Sequence, residues 1–259
     1  MIGEFPLFVF TTLAGLSAGT YIASALFPLF GENSNEGTPS GMQKYPWLFS
    51  LIMLILLGVG LLGCLGHLQH PERFMNALWN PLAGITQEAY LSMLFGAVLV
   101  IDFILSIVKG ASYRVVRIIG AVFGFLLTVV MGFAYANTLG VEAWNTWETV
   151  PFFVVGDLAM GFALFPLFNR DVLNQYYTYW VIVIEALFAA TLVLLSIHFG
   201  FCGLTCVPFI VALILAPVLH GVMILCKKFK TASWGIYFTF IVVFIGVAVA
   251  RYAFYAAYI

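Results

Sequence analysis

Five long stretches of this chain contain no charged side chain: residues 5–31, 45–71, 118–141, 186–226 and 231–250. A bilayer core is crossed by about 20 consecutive apolar residues in helical form, because each backbone polar group must find its partner within the segment. The 186–226 run is too long for one crossing and divides at Gly200–Gly203. Segments at about 89–108, 149–168 and 178–198 carry one acidic residue each, Asp102, Asp157 and Glu185. The runs are continuous rather than alternating, which favours helices over a barrel. The expectation is an all-α polytopic membrane protein with eight transmembrane helices, at about 5–31, 47–66, 89–108, 116–135, 149–168, 178–198, 204–226 and 234–256. These form a single transmembrane domain over 1–259, with loops too short for a soluble domain.

Composition excludes the alternatives. Charged residues make up 8% of the chain, hydrophobic residues 63%, and the mean hydropathy is +1.09. A water-soluble domain carries roughly a quarter charged residues. The net charge of −1 gives no footing for nucleic acid. Lysines and arginines divide unevenly between the two sides. Lys44, Lys109, Arg114, Arg117, Arg170, Lys227, Lys228 and Lys230 fall in alternate loops, and only Arg73 and Arg251 fall opposite. The positive-inside rule therefore predicts both termini on the outer, periplasmic side.

The second loop gathers the chemistry. It reads His67-Leu68-Gln69-His70-Pro71-Glu72-Arg73, followed by Asn76, Asn80 and, at the next helix start, Gln87-Glu88. A group exchanging protons with a membrane-borne substrate must titrate near neutrality, as histidine does, and must reach water at the membrane rim. An ordinary polar loop at headgroup level has the same composition. The fourth loop holds Trp144, Asn145 and Trp147 before Pro151, and paired tryptophans there read first as interfacial anchors. Asp157 and Glu185 lie inside spans, where carboxylates face the bundle interior and mark pathways. Asp157 sits toward the outer end, on the side of His67, while Asp102 is within reach of Lys109. Gly15-x-x-x-Gly19 and Gly120-x-x-x-Gly124 predict close helix contacts.

No haem is expected, since His220 lacks a second imidazole at matching depth. Cys64, Cys202, Cys206 and Cys226 lack metal-site spacing, so no metal is expected, and a disulfide between Cys202 and Cys206 is a poor fit to one helical turn.

The run His67-Leu68-x-x-Pro71-x-Arg73-x-x-Asn76, with Gln87-Glu88 opening the third helix, resembles the membrane anchor subunit of dimethyl sulfoxide reductase. Trp144-Asn145-Thr146 with Pro151 and Phe153, and Arg251-x-x-Phe254-Tyr255, resemble it too. The resemblance implies a three-subunit respiratory complex in the bacterial inner membrane: a molybdopterin catalytic subunit, an iron–sulfur subunit, and this chain as anchor oxidising menaquinol from the bilayer. On that reading His67 accepts a proton from the quinol, Glu88 receives or relays one, and Arg73 holds the loop or docks the iron–sulfur subunit. Trp144 and Asn145 support the rim, Arg251 and Tyr255 close the pocket, and Asp157 is a further quinol-binding candidate. The alternatives are an anchor serving another molybdoenzyme and, in a different class, a proton-coupled secondary transporter using Asp157 and Glu185.

Overall fold

The computed structural model describes residues 4–27, 45–67, 74–226 and 233–257. The described residues are helical, with no strand. The helices are α1 (Phe5–Leu26), α2 (Pro46–His67), a single turn α3 (Phe74–Ala77), α4 (Gly84–Lys109), α5 (Arg114–Ala136), α6 (Thr149–Leu164) and α7 (Gln175–Phe201). After these come α8 (Val207–Leu213), α9 (Leu219–Leu225) and α10 (Ser233–Ala256). A five-residue π-helical stretch, Ile214–Val218, joins α8 and α9. With those two counted as one crossing, eight helices among the described residues are long and apolar enough to span a membrane.

The ends differ from expectation at several places, and α7 extends three residues beyond 178–198 at each end. The first helix stops at Leu26 rather than 31, and residues 28–31 lie outside the described region. α4 starts at Gly84, five residues before 89, so Glu88 lies in its second turn rather than at its opening. α6 gives way at Phe165–Leu167 to a 3-10 turn containing Pro166. The seventh crossing starts at Val207 rather than 204, and it is interrupted by the π stretch containing Pro217. Proline removes one backbone donor and clashes with the preceding turn, and a wider π turn absorbs both.

α1 lies at the centre, packed against α2, α5 and α6 and touching α10, while α4 bridges α2 and α5. α6, α7, α8 and α10 form the other half. Lipid tails are as apolar as leucine, so helices associate in a bilayer through close packing and hydrogen bonds rather than through water exclusion. α1 is suited to this. A Cβ on Gly15 would overlap the Asp157 carboxyl, and one on Gly19 would overlap the α6 backbone at Asp157. One on Gly161 would overlap the backbone of Gly19 and Thr20. Gly120 and Gly124 likewise face Tyr21 and Ala18 of α1. Ser17 adds a hydrogen bond from α1 to the Met53 carbonyl of α2, at 2.8 Å. Large aliphatic side chains point outward instead, among them Leu62, Ile104, Val122 and Ile197.

Candidate functional site

α4 presents Ile85, Glu88, Ala89 and Ser92 along one stripe, the i, i+3, i+4, i+7 spacing of a single helix face. Its early start is held by the loop before it, where Tyr90 donates to the Leu78 carbonyl and Gln87 to that of Pro81 at 3.3 Å. The stripe meets Phe10 of α1 and Leu61, Cys64 and Leu65 of α2, and between the three helices lies a cavity of about 170 Å³. Its walls are almost wholly apolar, with Glu88, Ser92 and Cys64 among the lining residues. Glu88 is 4% exposed, and its Oε1 has no hydrogen-bond partner among the described residues. A buried polar atom left so costs about 1–3 kcal/mol. The rarity of such atoms makes each one call for an explanation.

His67 closes α2, three residues beyond Cys64 at the same end of the bundle; its side chain, like all of Arg73, lies outside the described part of the structure. The other expected site residues gather elsewhere. Asp157 and Arg251 form an ion pair with no exposure, between α6 and α10. Arg251 also donates to the carbonyls of Thr11 and, at 3.4 Å, Phe153, and its guanidinium lies 4.9 Å from the Phe153 ring centre. Tyr255 shares a 3.1 Å hydrogen bond with Thr11. Trp144 is buried rather than interfacial. It stacks on Phe254 and donates its indole N–H to the Phe254 carbonyl at 2.6 Å. Trp147 is the exposed member of that pair. Asn145 is exposed and donates to the Thr138 carbonyl at 3.4 Å. None of these five residues lines the cavity. Tyr255 and Arg251 reach toward it through Thr11, which follows Phe10 of the cavity wall. Tyr135 packs its ring against Trp144, Phe153, Phe254 and Tyr255, and so joins this cluster to α5.

Two residues of the site escaped sequence reasoning. Ser92 is one turn below Glu88, a spacing that marks it once the helix start is known. Cys64 reads as a small apolar filler until α2 and α4 are brought together.

Other buried ionisable groups find partners away from the cavity, although Glu185 Oε2 has no hydrogen-bond partner among the described residues. Asp102 does not pair with Lys109, which is exposed; it accepts from Tyr21 (3.0 Å), Ser50 (2.6 Å) and Ser112 (2.7 Å). Glu185 pairs with His220 at 2.5 Å, both nearly inaccessible. All four cysteines are free thiols. Burial, and after it the Glu142 carboxylate, hold the Cys202 thiol above its ordinary pKa. Among the described residues no three His, Cys, Asp or Glu side chains converge.

No curated protein matches the chain. The family described as DMSO reductase anchor subunit (DmsC) matches it over residues 1–257. With eight membrane-length helices and a match along nearly its whole length, this chain belongs to the DMSO reductase anchor subunit family.

Proposed function

We propose that this chain, the membrane anchor of a DMSO reductase-type oxidoreductase complex, also oxidises a quinol of the bilayer, menaquinol, in the cavity between α1, α2 and α4. The observation that carries this reading is Glu88, which lines an apolar cavity of about 170 Å³ and has one buried carboxyl oxygen without a partner among the described residues. Apolar cavities of about 150 Å³ take up a benzene ring, so a quinol ring is a reasonable occupant.

Oxidation of a quinol releases two protons and two electrons. Side chains handle the protons only. Glu88 accepts a proton from one ring hydroxyl and passes it toward water at the helix end. His67, closing α2 at that end, accepts the other, as a group titrating near neutrality is able to do. The electrons leave to a cluster in an associated iron–sulfur subunit, and from there to a molybdopterin subunit that reduces the terminal acceptor. Arg73, in the same loop, holds it or docks the iron–sulfur subunit. The Asp157–Arg251 pair, Tyr255 and Trp144 support the wall behind Phe10 rather than touching the ring, and Asn145 lies at the rim. The lysine and arginine asymmetry supports an inner-membrane protein with both termini in the periplasm and the cavity opening toward that side, the whole of 1–259 being one transmembrane domain.

The test is menaquinol-analogue oxidation by the purified membrane complex carrying Glu88→Gln or His67→Ala. Turnover is expected to fall about 10²-fold or more, the usual contribution of general acid–base groups. Acceptor reduction by an artificial dye should be retained. Unchanged quinol oxidation in both variants would place the site elsewhere.

A further inference from the structure

Outward apolar side chains are ordinary on a membrane protein, so where they sit says more than how many there are. Within the spans the outward aliphatic residues reach 69% exposure at most, at Leu62. Among the described residues four large hydrophobic side chains exceed that clearly: Trp79, Leu82, Leu139 and Phe201, at 86–92%. Successive crossings reverse direction, so all four fall at one end of the bundle, the end that holds the cavity. They also belong to one face. α4 begins beside the end of α5, where a Cβ on Gly84 would lie 3.2 Å from that of Ala134. The end of α7 meets the α5–α6 connection, with His198 Nε2 3.4 Å from the Glu142 carbonyl.

Lipid does not account for this face. Trp79, Leu82 and Leu139 stand on non-helical backbone, whose free polar groups the hydrocarbon core does not accept. At headgroup level the usual anchors are tryptophan and tyrosine rather than leucine and phenylalanine. The opposite end obeys that rule, with Tyr176, Tyr179 and Trp234 exposed there. Apolar side chains grouped beyond the helix ends mark a protein interface instead. The face is also without cations: residues 74–83, 137–148 and 202–206 hold Glu142 and Glu148 but no lysine or arginine. We propose that this face, centred on Trp79, Leu82, Leu139 and Phe201, docks the iron–sulfur subunit, which meets it with apolar sockets rimmed by lysine or arginine. This deepens the proposed function and rests on it. An anchor subunit holds a partner outside the bilayer, and electrons leaving the cavity need an acceptor centre at the cavity's own end. The catalytic subunit has no such need, since its electrons come from the clusters.

The test uses membranes from cells making the whole complex, washed at fixed dilution, with membrane-bound iron–sulfur clusters counted by electron paramagnetic resonance after dithionite reduction. Truncating central interface anchors weakens binding about 30-fold or more. Trp79→Ala, Leu82→Ala and Leu139→Ala together should therefore release most of the clusters into the wash. Tyr176→Ala with Tyr179→Ala, at the opposite end, should retain them. Each altered side chain is exposed, so the amount of anchor in the membrane should stay constant. A photo-crosslinking amino acid at position 139 gives a second readout, and its adduct should carry the mass of the iron–sulfur subunit. Clusters retained by the triple variant overturn the proposal, as does an adduct with lipid, the catalytic subunit or a second copy of this chain. Both readouts report assembly and not turnover. Quinol oxidation indifferent to Glu88→Gln, with clusters released by the triple variant, would sink the quinol reading alone. Retained clusters beside an inactive Glu88→Gln complex would sink the docking face alone.

Discussion

Arg251 shows how a single side chain inside a membrane protein ties several helices. Its guanidinium reaches the Asp157 carboxylate on α6, the Thr11 carbonyl on α1 and the Phe153 carbonyl, and it has no exposed surface. Removing one member of such a pair leaves the other charge uncompensated in low dielectric, at a cost of about 3–5 kcal/mol. Replacing both with apolar groups of similar size costs far less. Arg251→Ala and Asp157→Ala are each expected to lower the thermal stability of the purified chain markedly, and Asp157→Leu with Arg251→Met is expected to recover most of the loss. Additive effects of the two single changes would mean that the pair is not a unit. At this scale the sequence was only partly readable. Buried carboxylates stand out against apolar neighbours, and Asp102, Asp157 and Glu185 were visible for that reason, whereas Glu88 was visible only with the polar cluster of the second loop. Their partners were not: Ser50 and Tyr21 lie 52 and 81 residues from Asp102, and nothing local indicates that hydroxyls rather than Lys109 satisfy it.

Among the helices, α1 is defined less by hydropathy than by what it lacks. Its glycines let α6 approach until backbone meets backbone, and Gly161 of α6 returns the contact against Gly19. Tight cores tolerate extra methylenes poorly, typically at 1–3 kcal/mol. Here the obstruction is main chain, which has no rotamer to change. Gly161→Ala is therefore expected to reduce folded yield in detergent by more than half, whereas Gly58→Ala, with nothing within 4 Å of the added carbon, should be neutral. Equal yields would show that α1 and α6 separate easily. The small-xxx-small pattern of α1 announced this contact in advance. The π stretch at Ile214–Val218 was not foreseeable in the same way, because an apolar run with one proline reads as an ordinary span. The start of α4 lies a few residues earlier than expected: Gln87-Glu88 read as opening the helix, but Gly84-Ile85-Thr86 precede them in it, with Gln87 tethered to Pro81 and Tyr90 to Leu78.

The whole molecule follows from a simple constraint: charge is absent from five long runs and sparse in the remaining spans, and this made the eight crossings legible. What composition does not show is which segments meet. α1 and α10 come together over most of the chain's length, and the cavity draws on α1, α2 and α4 only because α1 is central. That arrangement has a consequence in time. Asp157 and Arg251 are separated by 94 residues, and at about 5–20 residues per second of synthesis the carboxylate waits roughly 5–20 s in the membrane before its counter-charge is made. A nascent chain halted before residue 251 holds an unanswered acid in its interior, which is the kind of defect that membrane proteases recognise. Pulse-chase labelling of a chain ending at 248 should show rapid clearance, slowed by Asp157→Asn. Equal half-lives for the two truncated chains would exclude the effect. On that expectation, closure of the ion pair coincides with the last helix taking its place, so the buried acid is answered only in a chain that has reached residue 251.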